Sequence, residues 1–175
     1  MKASDLNNYN YDLPDHLIAQ TPLTHRSQSK LLHLDRSNET IHHLNFFNIV
    51  DQLTKNDVLV LNNTKVIKSR LICKRKTGAI IECFFLNQQS NTTWEVMLKK
   101  ANRLAINEEL IVTEKTRLKL LSKSDKTAVV EIMSDKPVHE LLKECGEIPL
   151  PPYIKTDNPN QFEDDYQTVF GSVPG

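Results

Sequence analysis

Residues 65–76 carry six cations, Lys65, Lys68, Arg70, Lys74, Arg75 and Lys76, and no anion. On one uninterrupted strand, even-numbered side chains share a face, so Lys68, Arg70, Lys74 and Lys76 line one side of a strip suited to tracking RNA phosphates. Lys99, Lys100 and Arg103 extend it. The same pattern also fits a solvated strand edge guarded by charge. Just upstream, the apolar run Val58-Leu59-Val60-Leu61 passes into Asn62-Asn63-Thr64-Lys65. Open α/β sheets place ligands beyond the carboxyl ends of their strands. There, the amides and hydroxyl suit a ribose or base edge, and Lys65 suits a phosphate or carboxylate. Asn and Thr equally make ordinary turns.

Other chemistry finds no footing. His16, His25, His33, His42, His43 and His139 form no metal-ligand spacing, and His42 and His43 point to opposite faces of a strand, so no metal is expected. Four scattered glycines make no phosphate loop, and no G-x-S-x-G elbow occurs. Cys73, Cys83 and Cys145 lack C-x-x-C spacing, which argues against a disulfide framework or zinc site and for a reducing, cytoplasmic setting. Residues 1–10 are polar rather than an export signal, and no apolar run reaches membrane-spanning length. Glu82 and Glu95 read as exposed strand positions.

The elements that position these residues follow from periodicity. Asp12 as cap with Pro14 near the first turn predicts a short helix leading into Leu17, Ile18 and Ala19, stopped by Pro22. Residues 30–34 and 40–44 flank the turn signal Ser37-Asn38-Glu39 and predict a hairpin. Phe46, Ile49, Val50 and Leu53 after Asn45 predict a helix, and the β-formers 58–61 a strand covered on both faces. From residue 66 the pattern becomes six strands, 66–73, 79–86, 93–99, 109–113, 117–121 and 127–133, hence a small antiparallel barrel or sandwich. Asp135 and Pro137 start a helix with apolar face Val138, Leu141, Leu142 and Cys145, and Gly146 stops it. Three prolines among residues 149–152 then impose an extended connector, and residues 162–169 read as helical.

The chain has 175 residues with 22 basic and 22 acidic side chains, so net charge names no partner. The distribution does: residues 65–126 hold fourteen Lys/Arg against six Asp/Glu, a surplus of +8 that predicts a polyanion-facing module. The predicted organisation is a mixed α+β chain. An α/β domain begins in residues 1–66, is interrupted by an inserted small antiparallel β-barrel over 67–148, and resumes incompletely over 149–175.

Three stretches, Gly146-Glu147-Ile148-Pro149-Leu150-Pro151-Pro152-Tyr153-Ile154, residues 58–67 and Tyr166-Gln167-Thr168-Val169-Phe170, resemble the S-adenosylmethionine:tRNA ribosyltransferase-isomerases of queuosine biosynthesis. Arg26 with Ser29 and Lys30 resembles that family's Arg-x-x-Ser-Arg-Leu stretch, and residues 13–20 match the segment before it. The resemblance implies a barrel inserted into an α/β domain, present here as the amino-terminal part. It implies S-adenosylmethionine as co-substrate, tRNA with a queuosine-type anticodon as partner, and a monomer that needs neither metal nor membrane. The reaction implied moves the ribosyl group of S-adenosylmethionine to 7-aminomethyl-7-deazaguanine and isomerises it, giving epoxyqueuosine-tRNA.

Matched residue by residue, the donor and substrate candidates are Arg26, Asn62, Asn63, Thr64, Lys65, Tyr153 and Gln167, with no catalytic base assigned. The tRNA candidates are the eight cations Lys68, Arg70, Lys74, Arg75, Lys76, Lys99, Lys100 and Arg103. Departures from the family pattern are Asn63 and Lys65 in place of Asp and Arg, Ala79 in place of Gly, Lys99-Lys100-Ala101-Asn102 in place of a Pro/Gly turn, and Asp165 in place of Arg. Two further readings remain: an inactive remnant of a truncated gene, and a non-catalytic RNA-binding β-module.

Overall fold

The computed structural model describes residues 6–174, so the reading of residues 1–10 as free of an export signal falls partly outside it. Met1–Val60 with Pro152–Lys155 makes one compact unit, and Leu61–Pro151 with Thr156–Gly175 the other.

In the first unit the predicted hairpin forms: β1 (Lys30–Asp35) pairs antiparallel with β2 (Thr40–Asn45), Lys30 opposite Asn45 and Asp35 opposite Thr40. Asp35 builds the turn. Its carboxylate accepts the N–H groups of Ser37 and Asn38 at 2.9 and 3.2 Å and the Asn38 amide at 2.7 Å. These bonds, led by the Asn38 side chain, hold its carboxyl below the usual range.

Elsewhere in this unit helix gives way to tighter turns. The predicted Asp12-capped helix is a single 3-10 turn, Asp15–Leu17, preceded by Pro14 with no side-chain cap; so few residues cannot offset helix nucleation. Phe46–Gln52 is 3-10 rather than α, entered through a reciprocal capping box between Asn45 and Asn48. The covered strand predicted at 58–61 does not form. Val58 and Val60 are both 88% exposed, because no neighbouring strand among the described residues pairs with them. None of residues 6–60 is buried.

The second unit opens with β3 (Thr64–Lys65) and then builds the barrel from β4 (Arg70–Arg75), β5 (Ile80–Gln88), β6 (Thr93–Leu98), β7 (Glu109–Ile111), β8 (Arg117–Lys123) and β9 (Ala128–Met133). All six predicted strands are present. The first begins at Arg70 rather than 66 because Ser69 N–H bonds Ile67 O at 2.8 Å, a tight turn no strand can cross. Neighbours run β4-β5-β6-β9-β8-β7, and β7 returns to β4, closing the cylinder. Inward positions alternate along each strand and supply the core, including Leu71, Cys73, Trp94, Val96, Leu118 and Val130. Bulges at Leu86 and Leu121 bend the strands to close.

Closure by β7 rests on two residue pairs, Lys74 with Ile111 and Arg75 with Leu110. A side-chain bolt reinforces it. Arg75 meets Glu108 through both carboxylate oxygens, the Nη2 contact being 3.1 Å, and Glu108 Oε2 accepts Ala105 N–H at 2.9 Å.

Past the barrel, α1 (Val138–Cys145) buries Leu141 and Leu142 against the core. Asp135 does not cap it; Pro137 occupies the cap position, and Leu141 N–H makes the first helical bond to Pro137 O. β10 (Gly146–Glu147) then pairs with the other end of the same β4 edge, Gly146 opposite Leu71. Gly146 ends the helix in extended backbone (φ −83) rather than the left-handed form. Glycine is required there by contact, since a Cβ would lie 2.0 Å from Lys68 O and 2.4 Å from Leu142 O. The helix predicted over 162–169 is a 3-10 turn, Pro159–Phe162, running into α2 (Glu163–Tyr166) and ending at Gln167. β11 (Val173–Pro174) pairs parallel with β3.

Gly146→Ala is expected to destabilise the barrel by at least about 2 kcal/mol, because backbone rather than a flexible side chain must yield; urea unfolding followed by the emission of the buried Trp94 checks it. The bolt sets a pH dependence. Arg75 first, then Ala105, hold the Glu108 carboxyl below its usual range. This stabilisation is therefore complete above the unfolded pKa of about 4.3 and lost as pH falls through the lower folded value. Glu108→Gln should flatten the stability loss below about pH 4.5 in acid titrations of thermal midpoint, with less difference from wild type at pH 3 than at pH 7.

Candidate functional site

Asn62-Asn63-Thr64-Lys65 and Gln167 lie far apart in sequence and meet in the second unit. The Gln167 carboxamide takes both peptide groups of one residue: Oε1 accepts Val66 N–H at 2.6 Å, and Nε2 donates to Val66 O at 3.0 Å. It pairs with Val66 as a neighbouring strand would. Thr168 Oγ1 donates to Asn62 O at 3.2 Å, and Asn63 O accepts from Ser172 and Val173 N–H at 2.8 and 3.1 Å. Continuing the same wrap, β11 pairs with β3.

This arrangement sorts the corner by task. Asn62 is spent on structure, its Oδ1 accepting Thr64 N–H at 2.9 Å in a side-chain turn. The side chains of Asn63, Thr64 and Lys65 have no hydrogen-bond or ion-pair partner among the described residues, and all three residues are exposed. An amide, a hydroxyl and an ammonium in succession can bind a sugar or base edge beside an anion. Gly171 backs them: a Cβ there would lie 3.1 Å from Lys65 Cγ and 2.9 Å from Thr168 Cγ2. Thr168 stands in sequence only as part of the Tyr-Gln-Thr-Val motif, and Gly171 only as the residue after Phe170.

Arg26 and Tyr153 belong to the first unit. Arg26 opens a 3-10 turn, Arg26–Gln28, and Tyr153 is 53% exposed. Tyr153 is held through its backbone by a second glutamine clamp, in which Gln20 Nε2 donates to Tyr153 O at 3.0 Å and Gln20 Oε1 accepts Lys155 N–H at 2.9 Å. Gln20 gave no signal in sequence beyond its place in a matched segment.

The cationic strip is not one bare face. β4 contains Arg70 and Lys74 but ends before Lys76 and starts after Lys68. Folding also brings acids to most of these cations. Lys68 pairs with Glu163 at 2.7 Å, Arg70 with Glu82 and Glu147 at 3.1 and 3.0 Å, and Arg75 with Glu108. Lys76 lies 3.6 Å from Glu109, and Lys99 2.7 Å from Glu82. Glu82, expected to be exposed, is half-buried, and Lys99 first and then Arg70 hold its carboxyl below the usual range. Among the described residues Lys74, Lys100 and Arg103 carry no ion pair. Lys100 sits at a left-handed position (φ 63) where the chain leaves β6, and Lys123 fixes the following turn by donating to Leu104 O at 2.6 Å and Ala101 O at 3.2 Å.

The fold is a closed six-stranded antiparallel barrel carrying a clamped polar corner and a partly neutralised basic surface. Residues 6–175 match the family model described as queuosine biosynthesis protein, and the chain belongs to that family. It is 42% identical over 176 aligned residues to the S-adenosylmethionine:tRNA ribosyltransferase-isomerase of Sulfurihydrogenibium sp., covering 100% of this chain and 51% of that protein. The enzyme of the same name from Fusobacterium nucleatum is 38% identical, with 94% of this chain and 47% of that protein covered. The chain thus spans about half the length of the curated relatives it matches. The crystal structure of the Thermotoga maritima S-adenosylmethionine tRNA ribosyltransferase is 26% identical with a TM-score of 0.39, covering 95% of this chain and 56% of that one.

Gln167→Ala removes both clamp bonds and leaves the Val66 peptide groups without them, an expected loss of about 1–3 kcal/mol confined to the corner. Hydrogen exchange should speed up at Val66 and Val173 while the amides of β8 and β9 keep their protection; unchanged exchange at Val66 would show the clamp to be dispensable.

Proposed function

We propose that this chain serves the transfer and isomerisation of the ribosyl group of S-adenosylmethionine onto 7-aminomethyl-7-deazaguanine in a tRNA with a queuosine-type anticodon, giving epoxyqueuosine-tRNA. The observation that carries the reading is the meeting of two segments 101 residues apart at Val66, which leaves Asn63, Thr64 and Lys65 facing outward. The names of the relatives give S-adenosylmethionine and tRNA.

In this reading Lys65 meets a carboxylate or phosphate, Asn63 and Thr64 hydrogen-bond a ribose or base edge, and Asn62 and Gln167 hold them in place. Arg26 and Tyr153 remain donor or substrate candidates of the first unit, considered by themselves. Lys74, Lys100 and Arg103 meet tRNA phosphates directly, whereas Lys68, Arg70, Arg75, Lys76 and Lys99 do so only by sharing themselves with their carboxylate partners. The reaction requires a base at the C5′ proton acidified by the sulfonium, assistance to the departing adenine and a site shielded from water. Residues 62–65 are all exposed and supply binding groups rather than that shielding.

The proposed organisation is two stretches of an α/β domain, 1–66 and 149–175, flanking a barrel domain at 67–148, in a cytoplasmic monomer that uses S-adenosylmethionine as co-substrate and no metal. The absence of any buried residue over 6–60 supports a further point: these 175 residues alone turn over negligibly.

A chimera in which residues 1–175 replace the matching half of the Sulfurihydrogenibium relative tests the reading. It is expected to release adenine in stoichiometric excess, dependent on tRNA bearing the aminomethyl base, and Lys65→Ala should lower that rate at least tenfold. The 175-residue polypeptide alone should release less than one adenine per protein. A folded chimera that releases none beside an active parent would refute the functional assignment.

A further inference from the structure

The register of the hairpin in the first unit brings together two histidines that sequence spacing keeps apart. His33 of β1 stands directly opposite His42 of β2, with ring centroids 5.7 Å apart and planes tilted by 34°. Residues two apart on a strand share a face, so Asp35 and its partner Thr40 lie beside this pair on the same side. Thr40 Oγ1 is 3.1 Å from His42 Nε2. When Nε2–H donates to that hydroxyl, the lone pair of His42 stands on Nδ1. The Asp35 carboxylate, tied down by the turn, is within electrostatic reach of His33. His42 is exposed and His33 half-buried, so water and ions reach both rings. His43, the neighbour in sequence, belongs to the other face, across from Leu32.

Two imidazoles, an outer hydroxyl and a nearby carboxylate are the surroundings of a borderline-soft cation rather than of an anion. Zinc binds an imidazole nitrogen at about 2.1 Å, so two rings on one tetrahedral ion stand about 5 Å apart between centroids. The observed 5.7 Å is close to that value, and rotation about χ2 of two surface side chains closes the difference. From this geometry we infer that His33 and His42 form a cross-strand site for a divalent transition-metal ion of the Zn²⁺ or Ni²⁺ kind, with Thr40 fixing the His42 tautomer from outside the coordination shell. No group of three or more metal-ligating side chains occurs among the described residues, so water completes the shell. The ion takes no part in the ribosyl transfer proposed above: it lies on residues that reading does not use, and it joins β1 to β2.

The full chain, isotope-labelled for nuclear magnetic resonance, is titrated with Zn²⁺ at about pH 7.5, where protons compete little for imidazole nitrogen. The ring resonances of His33 and His42 are expected to move together along one saturating curve while those of His43 stay still. Calorimetric titration with Ni²⁺ should show affinity at least about tenfold weaker for His33→Gln and for His42→Gln, and weaker in the same direction for Thr40→Val, which keeps the β-branched shape without the hydroxyl. His43→Gln should bind as the wild type does. The amides of Leu31 and Leu44, opposite each other in the same hairpin, report that each variant keeps its strand pairing. Should a variant lose that pairing, the wild-type ring titration decides alone. Movement of only one of the two rings, movement spread evenly over all six histidines, or none at all overturns the inference. Ni²⁺ binding indifferent to both glutamine substitutions overturns it as well. None of these outcomes bears on adenine release by the chimera, which tests the ribosyl-transfer reading separately.

Discussion

Everything in the barrel unit depends on how one strand edge is shared. β4 is six residues long; β5 pairs along one side, and the other side is divided between β10 at Arg70 and Leu71 and β7 at Lys74 and Arg75. A barrel removes open edges only if the last strand returns to the first. Here that return is short, so the adjoining contacts carry unusual weight: the Arg75–Glu108 bolt at one end, and at the other the approach of Gly146 to Lys68 O, which admits no side chain. Because β10 follows α1 directly, the same edge also anchors the helix that covers Leu141 and Leu142.

The corner at 62–66 is organised by a related device. Its strand, β3, is two residues long and has too few ladder bonds to stand alone. Gln167 supplies the missing pair from a side chain, and the loop through Thr168, Gly171 and Ser172 closes around the backbone. Spending main-chain groups on structure leaves the side chains of Asn63, Thr64 and Lys65 exposed and without a partner among the described residues. In the first unit Gln20 repeats the device on residues 153 and 155. Both glutamines bridge segments more than a hundred residues apart, where no local turn could act.

Charge shows the reverse relation between sequence and structure. A local surplus of cations suggests a bare basic strip, yet acids from β5, β10 and α2 arrive at Arg70, Lys99 and Lys68. Among the tRNA candidates, the cations without an ion pair among the described residues are Lys74, Lys100 and Arg103. The local surplus along residues 65–76 is thereby largely neutralised within the fold.

The barrel was legible because strand alternation is a period-two pattern written in consecutive residues. Inward Leu118 and Leu120, or Ala128, Val130 and Ile132, announce their face without knowledge of any partner. The hairpin was legible for the same local reason, its turn residues lying within four positions. The covered strand at 58–61 was misread because β-formers declare a preference, whereas a strand exists only where a neighbour completes its ladder. The helices expected after Asp12 and on the face Phe46, Ile49, Val50 and Leu53 failed because local signals cannot decide between 3-10 and α when so few turns are available. The motif residues of the corner were visible, but their division of labour was not. Whether Gln167 binds a ligand or holds Val66 depends on which backbone folds against it, and only the tertiary structure sets a contact between positions 101 residues apart.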